Sequence, residues 1–466
     1  TFGPWGLAHA PIVSDAEACT MLAAGACTFM DTLKANLKSL SSSPRELWLA
    51  YILKFLESYG YFSMSVILVL YLSDEFGLTD VEAGLVYGLY GAVTSAIGFA
   101  IGFVIDNLGV RLSLITGFAT LMVARFIVAV TTRLWVVKLM LYLFLPIGSS
   151  LGIPVLSMGI KRYTTPQRRG FAFGLFYTVM NVAALLSGLL VDFLEINLHG
   201  GVHIFGTHYS SRRLILLSGM CMSAIGLVIA FFFREIKVEE GYDVEDKVSD
   251  YKVEGQSPIK IMREVFCLDY FWRFMGITIV CINLKMIFRY LDAMLPTYLV
   301  REFGERVPKG SIYSINPAMI IILVPLISAA TSGIAPFSMI HFGSYISGIS
   351  ALPLALHTSI SSAIIFVIIL SVGEAIWSPR FYDLTVSMAP EGKEGTFLAL
   401  GSAPMFAAKF PVGLLSGHLL ETYCPKGGPH SSTTMWMIVF LMTMSSPLLL
   451  TILRTWLRPP APTKEV

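Results

Sequence analysis

Residues 46–76 read ELWLAYILKFLESYGYFSMSVILVLYLSDEF. Between Glu46 and Asp74 only Lys54 and Glu57 are charged, and the block exceeds the ~20 residues that cross a bilayer core. Outward from it, long apolar blocks recur along all 466 residues, separated by short polar stretches. A soluble core of this size would show amphipathic stripes with a wet face. Only 14% of the residues are charged, against about 25% in soluble domains, and the mean hydropathy is +0.71. The expectation is an all-α, multi-pass integral membrane protein with 12 transmembrane helices.

The twelve predicted segments are Glu46–Phe76, Val81–Ile105, Ser113–Thr132, Leu134–Pro154, Arg168–Leu194, Arg213–Phe233, Phe271–Phe303, Asn316–Gly333, Phe342–Leu356, Ser361–Pro379, Thr396–Leu420 and Thr433–Trp456. They divide the chain into a tail (1–44), a six-helix bundle (45–233), a charged linker (234–268), a second six-helix bundle (269–456) and a short tail (457–466). The linker, with EIKVEEGYDVEDKVSDYKVEGQ, is too polar to span. Two bundles on a tether can rock about a site between them. Of the 33 Lys and Arg, 19 fall on the side of the termini, 8 on the other side and 6 within the segments. This bias predicts both termini in the cytoplasm; whether the membrane is the plasma membrane or an organelle's stays open.

The net charge of +2 and the lack of a basic run argue against a nucleic-acid partner. No Walker loop points to an ATP-driven pump, and no motif supports catalysis or a cofactor. The six cysteines (Cys19, Cys27, Cys221, Cys267, Cys281, Cys424) show neither zinc nor disulfide spacing and read as apolar fillers, so no metal is expected. His199, His203 and His208 read as a solvated loop. Thr1–Pro44 shows no signal peptide, its apolar stretches being broken by Asp and Lys.

Ionisable groups inside a membrane cost roughly 2.5–3.5 kcal/mol each on insertion scales, which makes them functional candidates. Lys54 and Glu57 lie three apart on one helix; either they pair with each other, or Glu57 takes up a proton or binds an amine. Lys285, Arg289 and Asp292 share one face of the seventh segment, and Glu374 lies deep in the tenth. Arg125 and Lys409 could snorkel or pair locally. Gly84, Gly88, Gly91, Ser95, Gly98 and Gly102 form a small-residue stripe that admits a close helix, with Gly413 and Gly417 as its answer.

Between the second and third segments stands Gly102-Phe-Val-Ile-Asp106-Asn-Leu-Gly109-Val-Arg111, which resembles the major facilitator loop signature G-x-x-x-D-[RK]-x-G-x-[RK]. The resemblance implies a conformational role for Gly102, Asp106, Gly109 and Arg111, with Arg111 anchored at the lipid interface. It narrows to the proton-dependent oligopeptide transporter family on four motifs. Glu57, Tyr59 and Tyr61 fit its E-x-x-E-R-F-x-Y-Y. GLFYTVMN contains Phe176, Tyr177 and Asn181, Ser314-Ile-Asn-Pro317 follows its S-I-N-P, and Gly373-Glu374-Ala-Ile-Trp377-Ser378-Pro379 matches G-E-x-x-x-S-P. The chain departs from the family at Lys54, at Ser58 in place of Arg, and at Gly152-Ile153-Pro154, which lacks the family's lysine.

The resemblance implies a secondary active transporter of the major facilitator fold, moving a small organic solute, amino acid or peptide-like, by alternating access with proton coupling. Glu374 corresponds to the acid that meets a substrate amine. Asp292 corresponds to the acid that pairs with the first segment's Arg, a place Lys54 takes here. Tyr59, Tyr61, Tyr177 and Trp377 would line the cavity. The expected partners are solute, protons and membrane lipid. A transport-inactive scaffold within a larger membrane assembly is the other reading.

Overall fold

The computed structural model describes residues 43–100, 102–164, 166–204, 206–234, 266–267, 269–331, 334–387 and 408–457. The tails, nearly all of the charged linker, and the first part of the predicted eleventh segment lie outside these residues.

The elements are α1 Arg45–Phe76, α2 Asp80–Ala100, α3 Gly102–Val130, α4 Leu134–Leu139, a π turn Met140–Phe144, α5 Leu145–Tyr163, α6 Pro166–Asn197, β1 Val202–Ile204, β2 Thr207–Tyr209 and α7 Ser211–Phe231. The second half has α8 Asp269–Val280, α9 Ile282–Ala293, α10 Leu295–Phe303, α11 Lys309–Ala330, α12 Pro336–Ile349, α13 Leu352–Leu356, α14 Ile360–Ser387, α15 Lys409–Tyr423, α16 Ser432–Ile452 and α17 Arg454–Leu457. Among the described residues, ten helical stretches are long and apolar enough to span a membrane. The 32 residues of α1 are about 48 Å long at 1.5 Å per residue, more than a ~30 Å hydrocarbon core requires. Gly77, in a left-handed conformation (φ 66°), ends α1.

Several boundaries differ from the sequence reading. The polar loop expected around residues 106–112 is helical on both sides of one break, Gly109, whose φ of 72° suits glycine alone. The seventh segment is three helices, interrupted at Cys281 and again at Met294, with Pro296 in the first turn of α10. Proline fits there because a first-turn N–H has no helical acceptor. The eighth segment starts earlier, at Lys309, and carries Pro317 and Pro325 inside it. The tenth runs through Pro379 to Ser387. The histidine loop is a small antiparallel hairpin in which His203 faces His208 with ring centroids 5.0 Å apart.

In the first half α1 packs on α5, α6 and α7, and α3 packs on α5 and α7. In the second, α14 packs on α11 and α12, and α16 on α9, α12 and α13. The two halves meet chiefly through α2 against α15 and α6 against α11. Buried apolar residues reveal an asymmetry along the membrane normal. Toward the end where α1 finishes, one core joins both halves, with Leu68, Leu72, Val86 and Val191 continuous with Tyr298, Leu299, Ile312 and Val412. Toward the opposite end it divides among the described residues. Leu47, Leu53, Leu114 and Ile160 form a core of the first half, and Phe271, Phe274, Trp377 and Leu450 one of the second.

Candidate functional site

Where the shared core ends, buried polar groups begin. Asp292 on α9 is 4% exposed, and its Oδ2 accepts from Ser65 Oγ of α1 (3.1 Å), Tyr87 Oη of α2 (3.4 Å) and Arg289 Nη1 (3.1 Å). This one carboxylate oxygen therefore ties the two halves together. Arg289 is 34% exposed along its side chain. Tyr61 and Lys409 lie within electrostatic reach of Arg289, and Lys409 also of Asp292. The expected Lys54–Asp292 pair is absent. Asp292 meets α1 at Ser65, eleven residues beyond Lys54 and so about 16 Å along the helix axis.

Lys54 instead approaches Glu57 within its own helix (3.6 Å) and stands 5.2 Å from the Phe176 ring centroid. Arg125 reaches the same region from α3, donating from Nη1 to Ser223 Oγ (2.5 Å) and from Nη2 to the Glu57 carbonyl (3.5 Å). Its guanidinium lies against Gly60, where a Cβ would be 2.5 Å from Cζ. Glu57 Oε1 and Arg125 Nε are buried with no hydrogen-bond partner. A buried carboxylate oxygen left unpaired carries a cost of about 1–3 kcal/mol or more, which a proton or a polar ligand would relieve.

On the second half, Asn316 Nδ2 of α11 donates to Glu374 Oε2 (3.0 Å) and to Ser371 Oγ (3.0 Å). Lys285, one turn before Arg289, sets its ammonium 4.6 Å from the Trp377 ring centroid, and Trp377 Nε1 donates to Ser347 Oγ (3.2 Å). The aromatics expected at a cavity differ in their surroundings. Tyr59 is buried and its hydroxyl lies 3.3 Å from Ser218 Oγ of α7, within the first half. Asn181 Nδ2 donates to the carbonyl of Tyr177 in its own helix (2.9 Å), while the Tyr177 side chain is exposed.

The α1-terminal end is sealed by contacts among charges that the sequence did not single out. Arg301 of α10 clasps Asp80 of α2 through two bonds (2.6 and 2.8 Å) and donates to the Cys424 carbonyl (2.6 Å). Asp192 of α6 accepts from the backbone N–H groups of Gly310 (2.7 Å) and Ser311 (2.6 Å) at the N-terminus of α11, where the helix dipole favours an anion. Lys309 pairs with Glu195. Arg212 reaches Asp74 (2.6 Å), Glu195 (3.2 Å) and, across the halves, Glu305 (3.2 Å), while Lys426 reaches Asp74 (2.9 Å). Beneath these bonds the backbones nearly touch. A Cβ on Gly413 would sit 2.7 Å from the Cα of Gly88, and one on Gly188 2.6 Å from the Gly310 carbonyl. Larger residues at these positions would hold the halves apart.

At the opposite end Arg111 donates from Nη2 to the Phe231 carbonyl (3.0 Å), at the last turn of α7. It thus binds a helix C-terminus rather than only the lipid interface, as a cation there should. Gly102 and Asp106 lie in the first turns of α3.

The family profile of the Major Facilitator Superfamily matches residues 50–409, most of the chain. The chain belongs to that superfamily. Among curated sequences none matches it significantly. Of solved structures, a POT family transporter in complex with 5-aminolevulinic acid is similar at TM-score 0.71 and 18% identity, over 89% of this chain and 97% of that one. A POT family transporter with a thioalcohol-conjugated peptide gives 0.72 and 17%, over 89% and 97%. The nucleoside transporter NupG gives 0.71 and 13%, over 88% and 99%. The fold is thus the major facilitator fold.

Proposed function

We propose that the chain is a secondary active transporter that carries a small organic solute between two membrane faces by alternating access, with proton coupling. The observation that carries this reading is the apolar core, continuous at one end and, among the described residues, divided at the other. A protein that opens alternately needs one sealed gate and one parted cleft, and the buried charges lie where the two regions meet. With the termini in the cytoplasm, as the Lys and Arg bias favours, this is the inward-facing state. Residues 45–233 and 269–456 then act as the two rocking bundles, with α2 and α15 among the twelve spans.

Asp292 serves as the coupling acid. Ionised, it accepts three hydrogen bonds on one oxygen and holds α1 and α2 against α9. Protonated, it becomes a donor with fewer acceptor sites, loses its charge attraction to Arg289, and loosens the seal. Glu374, held by Asn316, meets a substrate amine, while Arg289 and Lys285 hold a carboxylate. They stand in for basic groups that this chain lacks at Ser58 and on α5. The solute class is therefore an amino acid or a short peptide-like zwitterion. The 5-aminolevulinic acid and peptide complexes of similar transporters agree with that class.

The test is uptake into liposomes under an imposed pH gradient, screened with amino acids, short peptides and nucleosides. Uptake that follows the gradient and disappears in Glu374→Gln supports the reading. A local Lys54–Glu57 pair, closed within one helix, is what the transport-inactive scaffold would show. Correctly inserted protein that accumulates no solute from any pool would favour that alternative.

A further inference from the structure

Cys424 follows the last residue of α15, and the chain continues Pro425-Lys-Gly-Gly-Pro-His430. Gly428 turns at φ 108°, a conformation L side chains rarely adopt, and Ser431 N donates to the Tyr423 carbonyl (2.7 Å). The loop therefore folds back on its own start. His430 comes to lie beside Cys424, and both beside Glu302 at the end of α10. His430 Nδ1 is 3.2 Å from Glu302 Oε1, Cys424 Sγ is 3.9 Å from the same oxygen, and the three ligand atoms lie within 4.8 Å of one another.

The imidazole makes this cluster more than a hydrogen-bonded turn. Its Nε2 lies 3.0 Å from the Pro425 carbonyl, which can only accept, so Nε2 carries a proton. In the neutral ring, Nδ1 then aims a lone pair at a carboxylate that also only accepts. A positive group between them resolves the conflict. A backbone carbonyl on the far ring nitrogen is also how metal-binding histidines are oriented. Ser432 Oγ and the Cys424 thiol both donate to Glu302 Oε1, and loss of the thiol proton on metal binding frees one lone pair of that oxygen. For tetrahedral Zn²⁺, with bonds of about 2.0–2.1 Å to N and O and about 2.3 Å to S, the N–O and S–O edges are about 3.3 and 3.5 Å. The observed 3.2 and 3.9 Å lie within about 0.4 Å of these edges, and Nδ1 and Sγ, within 4.8 Å of each other, close to about 3.5 Å on binding.

We propose that Glu302, Cys424 and His430 form a Zn²⁺ site at the sealed end of the bundle, with a fourth position open to water. Thiolate, imidazole and carboxylate together suit zinc and disfavour calcium or magnesium, which take oxygen ligands. Binding displaces the Cys424 thiol proton to solvent. Solvent reaches the site, since the His430 side chain is 24% exposed. The site stands on these residues alone and does not depend on the transport reading.

The test uses full-length protein in detergent, stripped with a chelator, then titrated with Zn²⁺ by calorimetry and with Co²⁺ by absorption. One equivalent should bind per chain, and Co²⁺ should give a thiolate charge-transfer band. Cys424→Ser should abolish that band, and His430→Ala should weaken Zn²⁺ binding at least about tenfold. Cys221→Ser and Cys267→Ser, at exposed cysteines elsewhere, should change neither. If Cys424→Ser does not fold, His430→Ala, in an exposed loop, carries the test. Failure of the native chain to bind one equivalent overturns the proposal. So does binding that survives both site variants, and either result leaves an imidazolium–carboxylate pair as the content of the cluster.

Discussion

Replacing Arg301 with alanine should release the sealed end. Arg301 and Asp80 are 7% and 6% exposed along their side chains and share two short bonds across the halves. Removing one member of a buried pair costs about 3–5 kcal/mol, because the remaining charge stays desolvated. That charge regains water only if α2 and α15 part, so the penalty falls on the closed state. At about 1.4 kcal/mol per decade, the closed-to-open ratio should fall by two to nearly four powers of ten. The assay is double electron–electron resonance, with spin labels on His199→Cys and Arg306→Cys in a background lacking exposed native cysteines. Both positions are exposed at this end, on opposite halves. In Arg301→Ala the distance distribution should shift to longer values, and the swap Asp80→Arg with Arg301→Asp should shift it partly back. An unchanged distribution in Arg301→Ala would refute the reasoning, because the pair would then contribute nothing to closure.

Gly413→Ala sets a Cβ 2.7 Å from the backbone of Gly88. Overpacking of this kind costs about 1–3 kcal/mol, so the melting temperature in detergent should fall although alanine is the better helix former. Gly60→Ala pits a helix-propensity gain of about 1 kcal/mol against a clash with the Arg125 guanidinium. We expect the clash to win, and a raised melting temperature would show that Arg125 simply moves aside. Asp292→Asn keeps a side-chain oxygen for Ser65 and Tyr87 but removes the charge facing Arg289. Counterflow exchange of solute should persist while accumulation driven by a pH gradient is lost, and retained accumulation would remove Asp292 from the coupling role.

The apolar blocks made the membrane fold legible, because length and hydropathy decide it almost alone. The α2 stripe was equally readable: Gly84 and Gly88 do meet Gly413 of α15, as regularly spaced small residues suggested. The charges were harder. Lys54 could be paired with Glu57 from spacing, but nothing in one sequence says that Asp292 meets α1 three turns beyond Lys54. Asp80, Asp192, Glu195, Arg301 and Lys309 lie at or near helix ends, where ordinary solvated charges also sit, so nothing in the sequence marked them as a seal. Arg125 was legible as an intramembrane charge, but its burial under Gly60 was not. Cys424 reads as an apolar filler because its neighbour Glu302 is 122 residues away in the chain.

The sealed end combines two kinds of contact that respond differently to the surrounding solution. The glycine faces of α2 and α15 are backbone against backbone, and they separate without any side chain changing rotamer. Of the ion pairs above them, those of Lys426 and Glu305 reach toward water, these two side chains being 52% and 45% exposed, while Arg301–Asp80 and Lys309–Glu195 stay buried. Screening acts over about 8 Å at physiological ionic strength and about 3 Å at 1 M. Added electrolyte on that face therefore weakens the exposed pairs and leaves the glycine contact untouched. The ionic strength on the side of the sealed end is in this way a handle on closure that acts through the exposed pairs and spares the glycine contact.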